Sequence, residues 1–328
     1  MSVQYSGPIG RDLQLGRRTI LAGGLAALAA ACAPRGPSRF FAPPGPPIGV
    51  QLYSVAKELG EDLHGTLSAI AGIGYRTVEL AGYAGKTPQE LHAALDLAGL
   101  RCTSAHVPAK SFRPAPRTLD DDLDILAAEA GILGFDTVIM PLFVTPPHLP
   151  MKLDPGEDVR KMVSGVTARM TEADWRWTAD YMNDKGAKLK ARGLRFGFHN
   201  HSNEFIPLGD GTAMDFLVAN TDPALVSFQL DCGWAVAAGV DPADFIQRHK
   251  GRVSALHLKD VAATNKPNVL LEMDPAEIGR GVTDWPKLLA AARVAGIDRF
   301  FVEQEAPYVR PALDSLRDNF TYLSGGVA

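Results

Sequence analysis

The chain has 328 residues, 46% of them hydrophobic and 21% charged, with a formal net charge of −4. That is the composition of an ordinary globular enzyme, long enough for one large α/β barrel or two medium domains. No long basic run occurs beyond the N-terminal stretch, so nucleic acid is disfavoured as a partner.

Residues 1–32 read as a processing segment. Arg17 and Arg18 precede Thr19-Ile20-Leu21, and Ala22 to Ala31 is a short run of Ala, Gly and Leu. The run is too short to remain across a bilayer as a helix, so a cleaved export signal is expected. Paired arginines before a weakly hydrophobic core resemble a twin-arginine signal, which would place the product in the periplasm or outside the cell. Cys32 follows Leu28-Ala29-Ala30-Ala31, which resembles a lipobox with Ala29 where Leu is usual. The same alanines would equally suit cleavage to a soluble product. Residues 33–47, rich in Pro and Gly, read as an extended spacer. Membrane contact is therefore expected only through an N-terminal lipid anchor. Cys102 and Cys232 read as small apolar barrel residues and not as a disulfide.

From Ile48 onward, apolar runs of strand length alternate with amphipathic segments. Strands are predicted at Ile48–Tyr53, Arg76–Leu80, Arg101–His106, Thr137–Met140, Leu194–His199, Val226–Asp231, Val253–Leu258 and Arg299–Glu303. Helices are predicted at Leu63–Ile73, Thr87–Leu97, Leu119–Leu133, Thr171–Arg192, Ala213–Asn220, Pro242–Lys250, Asp284–Ala295 and Ala312–Leu323. Thr87, Asp241 and Asp284 are competent caps in front of Pro88, Pro242 and Pro286. Eight β-α units over residues 48–328 point to a single-domain (β/α)8 TIM barrel. An open doubly wound sheet would carry a Gly-rich phosphate turn after its first strand, and Gln51-Leu52-Tyr53-Ser54-Val55 is not one. The proline-rich insertion from Leu142 to Met170 should cover the mouth as a lid or wall.

On a barrel the chemistry comes from the C-terminal strand ends. The fifth strand ends in His199-Asn200-His201 with Glu204 beyond, a polar density that belongs at a mouth and not in a core. The other ends offer Gln51 and Tyr53, Glu79, His106, Gln229 and Asp231, His257 with Lys259 and Asp260, and finally Glu303 and Glu305. Asp231, His257 and Glu303 close three consecutive strands, so their heads converge. One imidazole nitrogen and two carboxylates suit one divalent ion such as Mn²⁺, Mg²⁺, Co²⁺ or Zn²⁺, with His199 on the neighbouring strand as a fourth ligand.

Tyr75-Arg76-Thr77-Val78-Glu79-Leu80, Phe198-His199-Asn200-His201, Leu230-Asp231, His257-Leu258-Lys259-Asp260, Gly279 to Trp285 and Phe301-Val302-Glu303 resemble the sugar phosphate isomerase/epimerase superfamily of xylose-isomerase-like barrels. The resemblance runs from about Ile48 to the C-terminus. It implies a metal held by residues of the fifth to eighth strands, with Asp231, His257 and Glu303 matching the last three ligands. The first departs: His199 stands where the family has Glu, and an imidazole does not reproduce a symmetric pair of carboxylate bases. Glu303 or His199 is the expected proton-transfer group. Glu79, His106, His201, Trp234, Lys259 and Arg280 are the expected substrate contacts, with surface charge as the alternative for Lys259 and Arg280.

The expected activity is a metal-dependent isomerase, epimerase or lyase acting on a sugar or keto-sugar through proton abstraction beside a carbonyl. The expected partner is that small molecule, with a homo-oligomer left open. A sugar-binding lipoprotein without metal is the alternative, and it would use Trp234, Tyr53 and Phe205 to stack on sugar rings. Replacing Arg17 and Arg18 by Lys should trap the precursor in the cytoplasm, read by cell fractionation; normal export of that variant would remove the twin-arginine reading.

Overall fold

A computed structural model describes residues 1, 2, 4, 40–110, 115–154 and 156–325. Arg17, Arg18 and Cys32, on which the export reading rests, lie outside the described residues, as do residues 33–39 of the expected spacer. Residues 40 and 41 are not extended in solvent. The rings of Phe40 and Phe41 are buried and meet Phe300 edge-on, with centroids 5.2 and 5.3 Å away, so the packed body already includes them.

Eight parallel strands close on themselves: β1 Gly49–Gln51, β2 Thr77–Leu80, β3 Arg101–His106, β4 Thr137–Met140, β5 Arg195–His199, β6 Ser227–Asp231, β7 Val253–Leu258 and β8 Arg299–Val302. Each pairs with its neighbours in sequence, and β1 pairs with β8 in the register Val50↔Val302, so the sheet has no free edge. The eight predicted strands are all present: three keep their predicted bounds, four lose one residue each, and the first loses three. The first stops at Gln51 because its side-chain oxygen accepts the Tyr53 N–H at 3.1 Å, turning Leu52–Val55 into a 3-10 helix.

The outer ring comprises α1 Ala56–Glu61, α2 Leu63–Ile73, α3 Pro88–Ala98, α4 Leu123–Leu133, α5 Val159–Thr167, α6 Glu172–Lys190, α7 Ala213–Asn220, α8 Cys232–Ala237, α9 Pro242–Arg248, α10 Trp285–Ala295 and α11 Ala312–Ser324. Helix α4 begins at Leu123 and not at Leu119, because Asp122 takes the cap, accepting from Asp124 N at 2.9 Å. The insertion after β4 contains α5, whose Met162, Val163 and Val166 are buried. Among the described residues no helix is long and apolar enough to cross a membrane. Cys102 and Cys232 are buried free thiols.

Strand alternation sorts the barrel into two environments. Val50, Val78, Val138, Phe196, Leu230 and Leu256 are fully or almost fully buried and belong to the apolar cluster. The alternate positions Gln51, Glu79, Ser104, Gln229 and His257 are also buried, but they bond to one another across the interior. The upper barrel is thus packed with a polar network instead of hydrocarbon.

Helix α7 illustrates how the shell is pinned. Thr212 caps it, and Asp215 answers with a carboxylate that accepts from Thr212 N (3.1 Å) and Oγ1 (2.7 Å) and from His249 Nε2 (2.6 Å). The bond from His249 comes first, and with those from Thr212 it outweighs burial to hold Asp215 down at about 2. The folded value lies below the unfolded one, so this stabilisation is complete above about pH 4 and is lost as pH falls toward 2. Asp215→Ala should cost about 1 kcal/mol at neutral pH and flatten that part of the acid-unfolding curve, measured by denaturant titration at several pH values.

Candidate active site

The organising group is Glu79, fully buried at the end of β2. Its Oε1 accepts from Gln51 Nε2 (2.9 Å), His106 Nε2 (3.0 Å) and His257 Nε2 (2.5 Å). Its Oε2 accepts from Gln229 Nε2 (2.8 Å) and from the Ser104 hydroxyl. Burial opposes its ionisation, yet the fields of His106 and His257 and their hydrogen bonds outweigh it, so the carboxyl stays well below its usual range. Glu79 is not among the residues that line the cavity; its contacts are the side chains that it orients.

The acceptor-only carboxylate fixes its neighbours. Gln229 must turn its amide NH₂ toward Glu79, so its Oε1 faces His106 Nε2 and His199 Nδ1, each at 3.0 Å. His199 therefore carries its proton on Nδ1 and presents Nε2 as a lone pair, 3.9 Å from Asp231 Oδ2. Burial first, then the fields of His257 and His106, push its pKa well below the usual value, so this ring is neutral. His257 likewise spends Nε2–H on Glu79 and aims Nδ1 at Glu303 Oε2 (3.1 Å) and Asp231 Oδ2 (3.8 Å). Burial would lower its pKa, but Glu303 and Glu79 raise it to about 10.

Asp231, the last residue of β6, is placed by three bonds. Its backbone N–H donates to Asn200 Oδ1 (2.9 Å), Asn200 Nδ2 returns to its carbonyl (3.4 Å), and its Oδ1 caps α8 at Trp234 N (2.8 Å). Asp231 Oδ2 is buried with no donor aligned on it. Burial raises this carboxyl to about 6, with Lys259 opposing and Glu303 adding to the shift.

Lys259, expected at the substrate or on the surface, is buried against the carboxylates and is not among the residues that line the cavity. Its Nζ lies 2.8 Å from Glu303 Oε2 and 3.0 Å from Asp231 Oδ2, and it also donates to Glu305. Burial disfavours the ammonium, but Asp231, Glu303 and Glu305 together hold its pKa well above normal. Its stem fits only because residue 233 is glycine: a Cβ there would sit 2.6 Å from Lys259 Cγ. Trp234, also expected at the substrate, is buried outside the cavity wall. Its ring lies under the ammonium at 5.3 Å, and its Nε1 donates to Glu305 (3.1 Å).

Arg280 is not brought to the cluster. Asp260 accepts from the backbone of Gly279, Gly281 and Thr283 and from Trp285 Nε1. That web turns Arg280 outward, where it pairs with Asp318 at 2.9 Å. His106, His199, His201, Glu303 and Glu305 do line the cavity. His201 is held neutral, pushed down to about 3 by burial and then by Lys259, and its Nδ1 has no partner. Glu204 anchors this corner by accepting the His201 N–H at 2.8 Å; burial raises its own carboxyl to about 7. Sequence reasoning gave no role to Ser104, Gln229 or Glu305. The available signal was a polar residue at an inward position of an apolar strand.

The four residues named for a metal do converge: one ligand-type atom each from His199, Asp231, His257 and Glu303 lies within 4.8 Å of the others. The donor set suits a divalent ion on three counts. Asp231 Oδ2 lacks an aligned donor and His199 Nε2 is a free lone pair aimed at it. The far nitrogens of both imidazoles are tied down, as metal-bound histidines require. And four carboxylates, Glu79, Asp231, Glu303 and Glu305, face Lys259, His106 and His257, where a divalent cation would take the place of the proton that His257 Nδ1 shares with Glu303.

A closed parallel barrel with such a cluster at its C-terminal mouth is the arrangement of a barrel enzyme. Residues 67–324 match the xylose isomerase-like TIM barrel family, and the chain belongs to that family. It is 26% identical over 195 residues to an inosose dehydratase from Geobacillus kaustophilus, covering 60% of this chain and 61% of that protein. It is 32% identical over 91 residues to an inosose dehydratase from Bacillus anthracis, 28% of this chain and 30% of that protein. The chain thus spans about three fifths of the first relative and less than a third of the second. A sugar phosphate isomerase/epimerase from Parabacteroides distasonis shares the fold, with a TM-score of 0.64 and 24% identity over 90% of this chain and 99% of that one.

Proposed function

We propose that this protein is a sugar-modifying enzyme that removes a proton beside a carbonyl, and that it works as a lyase (dehydratase) or isomerase in preference to a two-base epimerase. The observation that carries the reading is the buried convergence of His199, Asp231, His257 and Glu303 within 4.8 Å at the barrel mouth. A divalent ion held by these four residues would supply Lewis-acid stabilisation of the negative charge that develops on a substrate oxygen.

The remaining work falls to side chains. Glu303, held ionised by Lys259 and His257 against the cost of burial, is placed to accept the proton from carbon. His257 and Lys259 keep its Oε2 aimed at the cluster. The carboxylates that line the cavity, Glu303 and Glu305, both follow β8, whereas His106 and His201 stand on the far side, at the end of β3 and beyond β5. A carboxylate on one face and imidazoles on the other suit abstraction at one carbon and hydrogen bonding to a departing or migrating oxygen. They do not suit a symmetric exchange between two carboxylates. The dehydratase names of the relatives above agree with that asymmetry.

The sugar-binding alternative loses its support, since Trp234 and Phe205 are buried and Phe205 packs on Phe245; only Tyr53 of that set lines the cavity. We also propose export, from Arg17, Arg18 and Cys32. The test is metal content and turnover measured together on the purified chain and on His199→Ala. Ligation by His199 is expected to show as metal affinity at least about tenfold weaker together with lost turnover. Stoichiometric metal with collapsed rate would instead make His199 a proton-transfer group, and a wild-type chain that binds no metal after reconstitution would overturn the metal-dependent reading.

A further inference from the structure

The cavity above the cluster is larger and more segregated than a site for a free monosaccharide. It has a volume of about 640 Å³. Even at the ~30 Å³ that liquid water takes per molecule, a hexose of about twelve heavy atoms fills ~360 Å³. Its polar lining comes almost entirely from strand ends: His106, His199, His201, Glu303 and Glu305. Its outer wall comes from loops and the insertion, and is built of side chains such as Tyr83, Val107, Leu142, Val163 and Leu271. A sugar ring resting there would leave hydroxyls against hydrocarbon. The charged residue of that wall, Arg117, spends its guanidinium on Glu129 through bonds of 2.8 and 3.1 Å, and Tyr83 hydroxyl donates to the same carboxylate (2.9 Å).

The wall is also where the backbone is strained. Among the described residues, the non-glycine residues with positive φ are Ala84 (51°) and Leu271 (60°), and both line this cavity. For leucine that conformation is an outlier, and it persists only where surrounding contacts impose it. Here Ser202 Oγ accepts the Leu271 N–H at 3.1 Å, so the loop after β7 is tied to the His201 segment with its leucine at the cavity.

We infer that the cavity has two subsites, and that the substrate is a glycoside: a keto-sugar ring on the polar floor, with an apolar aglycone against the outer wall. The inference rests on the sugar reading above and specifies it. Ring-oxidised ketoglucosides, each prepared with a methyl or a phenyl aglycone, are titrated calorimetrically into the metal-loaded chain. The phenyl compound is expected to bind about tenfold or more tighter than its methyl partner. Leu271→Gly, which relieves the backbone and removes the side chain, should bring the ratio of phenyl to methyl affinity close to one. Val163→Thr, nearly isosteric and on a separate element, should reduce it as well, and serves if the first variant does not fold. Equal affinity for methyl and phenyl compounds would overturn the two-subsite inference while leaving the sugar reading in place. Failure of both to bind would remove the sugar reading itself, and the inference with it.

Discussion

The structure depends on one buried charge. A carboxylate without partners in a barrel interior would cost several kcal/mol, and Glu79 avoids that cost by taking hydrogen bonds from Gln51, Ser104, His106, Gln229 and His257. Those donors stand on β1, β3, β6 and β7, so a single group on β2 cross-links most of the barrel's interior. It also decides where protons sit. Because it can only accept, Gln229 must face it with its amide nitrogen, His199 must be protonated on Nδ1, and His257 must offer Nδ1 to the cluster. Local backbone structure brings the ligand atoms near one another; Glu79 gives them their chemistry.

The second constraint is charge balance around Lys259. Three carboxylates hold one ammonium in a place where none of them is fully solvated, and Asp231 resists ionisation chiefly because it is buried, with Glu303 adding to the shift. A cluster so arranged favours cations and keeps Glu303 ionised. The same side chain that the sequence suggested for sugar recognition thus acts on the cluster from below, with Trp234 closing the space beneath it.

Much of this was legible in the sequence, for identifiable reasons. Strand-length apolar runs and their polar C-terminal ends follow from barrel geometry, so the eight strands and the convergence of Asp231, His257 and Glu303 could be read directly. Depth could not. Glu79, Lys259 and Trp234 look like mouth residues in one dimension, but the tilt of the strands and the glycine at position 233 place them beneath it. The two readings of Arg280, sugar contact or surface charge, could not be separated because the backbone bonds to Asp260 that turn it outward join residues some twenty positions apart. Short elements such as α5 and α8 depend on a single capping aspartate, Asp158 or Asp231, and a cap before a short segment carries little periodic signal. The first residues of the spacer's packed end, Phe40 and Phe41, were hidden by their proline-rich surroundings.

The central claim is that Glu79 sets the protonation and aim of the cluster. It is tested most directly by the divalent-metal affinity of Glu79→Gln, measured calorimetrically beside wild type, with circular dichroism to confirm a native barrel. Loss of the acceptor should let His257 and Gln229 reorient, and affinity should fall by about 10- to 100-fold, with Glu79→Asp retaining part of it. Unchanged metal affinity in a correctly folded Glu79→Gln protein would contradict the account.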